Sequence, residues 1–160
     1  MSTLSKKIDF AILISVENAN PNGDPLCGNR PREDYDGYGE ISDVCLKRKI
    51  RNRLMDLGEP IFVQSNDYRI DGYDSLKARA EGCETLKKVK KNRDELKKVA
   101  CEQWLDVRSF GQVFAFKGDF ASVGVRGPVT ISIAKSMDPI DIITMQIVKS
   151  VNNESSEKKG

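Results

Sequence analysis

Histidine is absent from the 160 residues, and the four cysteines, Cys27, Cys45, Cys83 and Cys101, are scattered with no C-x-x-C pair. A zinc site would have to draw four thiolates from four distant places, which is foreign to the usual ligand spacing. A disulfide scaffold is equally out of place in a domain of this size without a secretory segment. The opening "MSTLSKKIDF" lacks an apolar stretch of the kind a signal peptide carries, and no run approaches the ~18 apolar residues of a spanning helix. These absences lead to the expectation of a cytoplasmic chain that does not enter a membrane. No metal and no cofactor is expected. Net charge is also nearly lacking, at +2 from 26 basic and 24 acidic residues, so any case for a charged partner rests on where the charges fall. Acids concentrate in Glu33–Glu40 and Asp67–Asp74, bases in Lys47–Arg53 and Lys87–Lys98.

What is present reads as one domain over residues 1–150, followed by a polar tail, "NNESSEKKG", expected to be disordered. "IDFAILISVE" is a nearly continuous apolar, β-branched run that predicts a central strand over Ile8–Val16. A loop of about twenty residues follows, against the two to six usual for such a connection. Ser42-Asp43 then offers an N-cap, with Leu46, Ile50, Leu54 and Leu57 at helical spacing and Gly58 as a stop. "PIFVQS" reads as a short strand or extended piece. Residues 74–100 form a helical insertion with Leu76, Ala80, Cys83, Leu86, Val89, Leu96 and Val99 inward, which Gly82 should break in two. "CEQWLDVRSFGQVFAF" continues as helix with Trp104, Val107, Phe110 (or Gly111) and Phe114 inward, and "GPVTISIAKSM" is a second strand. The fold class is α+β, with helices on one face of a mainly antiparallel sheet. Only two strands are strong, fewer than the three a stable sheet generally needs.

The sharpest chemical feature is the basic helix. With Ile50 at the centre of its buried stripe, Lys47, Arg48 and Arg51 share one flank with Val44, while Lys49 and Arg53 lie on the other. So many cations at the entry of a helix attract phosphates, and guanidinium groups grip them bidentately. The same charges would also suit a solvated face balanced by Asp36, Glu40 and Asp56. "NPNGDP" is turn chemistry with Gly23 free to take positive φ. "DYDGYGE" is a fragment of a calcium loop with a ligand missing and its glycine misplaced. Asp24, Asp34, Asp36 and Asp43 could hold magnesium for phosphodiester cleavage, although caps and turns account for them more simply. In "SVGVRGPV", Gly124 and Gly127 would let the backbone approach a ligand while Arg126 contacts phosphate or base. "KKVKKNRDELKK" holds no aromatic residue for base stacking and is best read as a solvated helix face.

Four stretches, "NPNGDPLCGNRPR", "ISDVCLKRKIRNRL", "DVRSFGQVF" and "VRGPVTISIAKSMDPI", occur in this order over roughly residues 8–140. Together they resemble the crRNA-binding backbone subunit of type I-C CRISPR Cascade complexes, in the repeat-associated mysterious protein superfamily. The resemblance implies an RRM-like, modified ferredoxin fold, here an incomplete, N-terminal portion of it. It implies copies assembled head to tail on crRNA, with target DNA paired through the guide, and other Cascade subunits as partners in antiviral defence. The family's contact segment matches at Ser42, Lys47, Arg48 and Arg51. Asn20, Asn22 and Arg30 of the long loop, and Arg126, carry over more weakly. On this reading the protein is not an enzyme. The alternative is a metal-dependent ribonuclease of the same superfamily using a loop aspartate, Asp24 or Asp36. A third possibility is a folding fragment without activity of its own.

Overall fold

The computed structural model describes residues 4–118 and 120–151. Most of the tail expected to be disordered, residues 152–160, lies outside the described residues. The chain is a mixed α+β structure with small antiparallel sheets and several helices, compatible with an incomplete RRM-like fold. It divides into two compact units, one of residues 41–135 and one taking Met1–Glu40 and Ser136–Gly160.

In the first of these, helix α1 (Asp43–Asp56) begins where Ser42 accepts a hydrogen bond from the Cys45 amide at 3.2 Å. It ends as the sequence demands. Gly58 takes φ 82°, its amide donates to the Met55 carbonyl, and the Glu59 amide donates to the Leu54 carbonyl. That pair of bonds is the glycine-terminated C-cap. The buried stripe is rotated from the expected one, however. Met55 is buried and Arg51 nearly so, whereas Leu46, Ile50 and Leu54 are half-buried and Leu57 is exposed. An ion pair at Arg51 draws that face inward, an effect that apolar spacing cannot register.

The helical insertion is realised as α2 (Leu76–Gly82), α3 (Glu84–Val89) and α4 (Arg93–Gln103), broken after Gly82 as expected. A Cβ on Gly82 would overlap the Tyr73 ring. Trp104 separates α4 from α5 (Leu105–Phe110), and Gly111, at φ 81°, turns the chain into β4 (Gly111–Phe114). The run expected to stay helical to Phe116 therefore ends at Phe110. β4 pairs antiparallel with β5 (Val123–Arg126), Gly111 opposite Arg126. Leu86, Leu96, Ala100, Trp104, Val107, Phe114 and Val123 form the core with Phe62 and Ala80.

Phe62 sits at its centre. The ring lies 4.6 Å from Trp104 and 5.1 Å from Phe114. Residues 60–63 form no strand; the Pro60 carbonyl accepts from the Leu105 amide, and side chains bond the Ile61 carbonyl, both sides of Phe62 and the Val63 amide. The Asp106 carboxylate, 1% exposed, accepts from the Phe62 amide at 2.7 Å, the Val63 amide at 3.0 Å and Arg51 Nε at 3.0 Å. Arg79, also buried, donates to the Phe62 carbonyl at 2.9 Å and forms an ion pair with Asp71. Buried charges are tolerated only when paired and hydrogen-bonded in this way.

The second unit contains a hairpin of β1 (Gly23–Asp24) and β2 (Arg30–Pro31); β3 (Tyr38–Ile41) pairs with β6 (Ala134–Pro139). Two expectations fail here. Ile8–Val16 forms no strand, and its apolar side chains are exposed, Leu13 at 95%. Of "GPVTISIAKSM", only the segment from Ala134 onward is strand, continuing to Pro139. Alternation creates a strand only where a neighbouring ladder accepts its amides and carbonyls. Among the described residues each sheet has only two strands.

Replacing Asp106 with alanine strands Arg51 and two buried amides, so it should destabilise the protein by about 3–5 kcal/mol in chemical denaturation. A loss under about 1 kcal/mol would contradict the role given to this carboxylate. Arg79 holds the Asp71 carboxyl below the usual carboxylate value of 3.8, chiefly through its hydrogen bond. Because the folded value is the lower one, this stabilisation is complete above about pH 4 and is lost as pH falls through the folded value. Asp71→Asn should therefore flatten the acid limb of a stability–pH profile without changing its slope between about pH 5 and 8.

Candidate nucleic-acid interface

The residues expected to contact nucleic acid fall in both units. Ser42, Lys47, Arg48, Arg51 and Arg126 belong to residues 41–135, and Asn20, Asn22 and Arg30 to the other unit.

On α1, Lys47, Arg48 and Lys49 lie in the second turn and Arg51 and Arg53 in the third. Lys47 Nζ lies 3.0 Å from the Asp43 carboxylate one turn earlier, an i,i+4 pair. The hydrogen bond from Lys47 is the main cause that lowers the Asp43 pKa. Arg48 is 55% exposed, and its Nη2 donates to both oxygens of Asp67, at 3.1 and 2.9 Å, and to Ser65 Oγ at 3.3 Å. Asp67 is itself held below the usual carboxylate range, chiefly by the Ser65 hydroxyl and to a lesser extent by Arg48. Arg51 differs. Its side chain is 13% exposed, bonded to Asp106, and its guanidinium lies 5.1 Å above the Phe110 ring. The wheel that places Lys47, Arg48 and Arg51 on one flank is right in angle. It does not reveal that the third of them reaches into the protein. The acids paired with Lys47, Arg48 and Arg51 are Asp43, Asp67 and Asp106.

Arg126 is exposed at the end of β5 and forms no ion pair among the described residues. Gly127, beside it, is required by packing. A Cβ on Gly127 would fall 2.2 Å from the Ser109 carbonyl and 2.4 Å from the Gly111 amide. The close approach is thus to the chain's own backbone, where the Val129 amide also donates to the Ser109 carbonyl at 2.9 Å. Gly124 has open space around it.

In the other unit, Asn20 and Asn22 act within the loop. Asn20 Nδ2 donates to the Asn29 carbonyl at 2.7 Å, and Asn22 Nδ2 to the Gly23 carbonyl at 3.2 Å. Gly23 lies in β1, and the positive φ values fall instead on Gly28 and Asn29, at 64° and 59°. Arg30 is exposed in β2. Asp24, one of the aspartates considered for metal-dependent cleavage, accepts from the Leu26 amide and caps a short turn of 3-10 helix. The acidic stretch 33–40 is a reversal. Asp34 accepts from the Asp36 and Tyr38 amides at 3.0 Å each, and Gly37 takes φ 81°. Among the described residues no group of three or more Cys, Asp or Glu side chains is placed to hold a metal ion, and no helix is long and apolar enough to cross a membrane.

The sequence model of the family described as CRISPR-associated protein Cas7 matches residues 6–160. A CRISPR-associated protein Cas7 of Haloferax volcanii is 41% identical over 70 residues, which are 43% of this chain and 20% of that protein. The chain thus matches about a fifth of this curated relative's length. With the family match running over nearly all of its residues, the chain belongs to the Cas7 family.

Proposed function

We propose that the chain is a non-catalytic, crRNA-binding backbone subunit of a CRISPR Cascade complex, of type I-C, acting in antiviral defence in the cytoplasm. The observation that carries this reading is the flank of α1. A helix capped at both ends presents Lys47 and Arg48 near its amino terminus, in a chain of the Cas7 family. Helix entry and cations act in the same sense on a phosphate, through the exposed amide dipoles and through counterion release. Ser42, Lys47 and Arg48 are the proposed backbone contacts, with Arg126 a further cation of the same unit. Asn20 and Asn22 keep the long loop in shape and Arg30 is its exposed cation, so these three are assigned as a separate contact. Arg51 is a positioning residue on this reading. Its guanidinium is committed to Asp106, and it fixes the roll of the helix that carries Lys47 and Arg48.

Such contacts hold the nucleic-acid backbone and leave sequence to be read by base pairing. The partners proposed are crRNA, further copies of the subunit, other Cascade subunits and, through the guide, target DNA.

Binding of single-stranded, repeat-derived RNA, followed by fluorescence anisotropy across a salt series, tests the reading. Lys47→Gln combined with Arg48→Gln should weaken binding and reduce the slope of log affinity against log salt by about 1.4, or 0.7 for each phosphate no longer neutralised. No affinity at low salt, or a slope the two substitutions leave untouched, would exclude the α1 flank as the contact.

A further inference from the structure

Between the core residue Phe62 and α2 the chain crosses α1 as a strap, residues 64–71, without regular secondary structure. Both ends are anchored in the interior. The Phe62 and Val63 amides bond to buried Asp106, and Asp71 bonds to buried Arg79. The middle, by contrast, is exposed from Asn66 to Ile70. Here a turn, closed by the Tyr68 amide on the Ser65 carbonyl at 3.0 Å, presents Asp67 to Arg48, while the Tyr68 hydroxyl donates to Asp56 of α1. Asp67 is 73% exposed and Arg48 55%. An ion pair this wet contributes little to stability, about 0–1 kcal/mol. The geometry is nonetheless that of a ligand. Both oxygens of the carboxylate sit on one guanidinium nitrogen, in a charge-assisted contact that a phosphate oxygen could replace. The interior anchors carry the fold, and the surface contact occupies the one α1 arginine of the expected flank that faces solvent.

We propose that Asp67 is a built-in competitor for a phosphodiester at Arg48: the strap keeps its carboxylate on the guanidinium, and a nucleic-acid backbone displaces it to bind. This rests on the reading of the α1 flank as a phosphate contact. Because the strap is fixed at both ends, the carboxylate stays close to Arg48 at a high effective concentration. Isolated anions therefore meet an occupied guanidinium. Exchange requires only that the turn at 65–68 swing off α1, since Asp106 and Arg79 retain the ends. Asp67 thereby sets how much affinity the site must supply before it engages.

The test uses the full chain and a uridine homopolymer of about 12 nucleotides, within the span one nucleic-acid-binding module covers. Wild type, Asp67→Asn, Arg48→Gln and the double variant form a cycle. Asp67→Asn should tighten binding, by up to about fivefold for an exposed pair. The salt slope should stay unchanged, because the same phosphates are neutralised with or without the competitor. In the Arg48→Gln background the gain should vanish. Wild-type binding with no gain in Asp67→Asn overturns the proposal alone. An equal gain in both backgrounds also overturns it, since that would be the general effect of removing one negative charge. Failure of all four proteins to bind overturns both the proposal and the reading beneath it.

Discussion

The peptide unit of Phe62 is held on both sides by charge: Asp106 takes its amide, and Arg79 donates to its carbonyl. Everything else in residues 41–135 is arranged around that hold. It seats the Phe62 ring between Trp104 and Phe114, and so closes the core between the helical insertion and the β4–β5 hairpin. Through Arg51 the same carboxylate sets the roll of α1. Through Asp71 the same arginine fixes where the strap returns to α2. A buried ion pair is weak evidence of stability, because desolvation offsets most of its attraction. Its contribution here is positional. Two desolvated charges, each needing several partners, admit one arrangement of three segments that sequence leaves far apart.

This division between an interior that fixes position and a surface that exchanges partners gives the proposed nucleic-acid contact its character. Arg48 pairs with the exposed Asp67 and Lys47 with the partly exposed Asp43, so these contacts are shallow and exchangeable. The arginine that points inward is locked. In the proposed contact the locked residue keeps the exchangeable ones in register with the ligand.

Much of this was legible in the sequence, and the limits have a common cause. Local signals read well. The Ser42 cap, the Gly58 stop, the break at Gly82 and the inward Leu86, Leu96 and Trp104 all depend on chemistry within a few residues. The signals that failed depend on distant partners. Ile8–Val16 has the composition of a central strand, but a strand is a relation between segments, and here the ladder is missing among the described residues. Arg51 and Asp106 lie 55 residues apart, and nothing in the charge pattern of α1 marks Arg51 as the one that turns inward. Asp34 is a local signal of the same legible kind, and the simpler reading of it as a turn residue holds. Its calcium-like surroundings are an ordinary turn, where the carboxylate is taken up by nearby amides.

That the Phe62 amide and carbonyl and the Val63 amide are satisfied by side chains has one more consequence. A segment paired in a ladder can slide by two residues and recover most of its bonds, because the neighbouring strand offers the same groups at each step. A single carboxylate and a single guanidinium offer no such repeat. Insertion or deletion of a residue between Pro60 and Val63 would therefore detach Phe62 from both charges at once. Length changes within 65–69, between the anchors, leave them in place. The boundary between rigid and variable chain length thus falls inside one irregular segment, with no change of secondary structure to mark it.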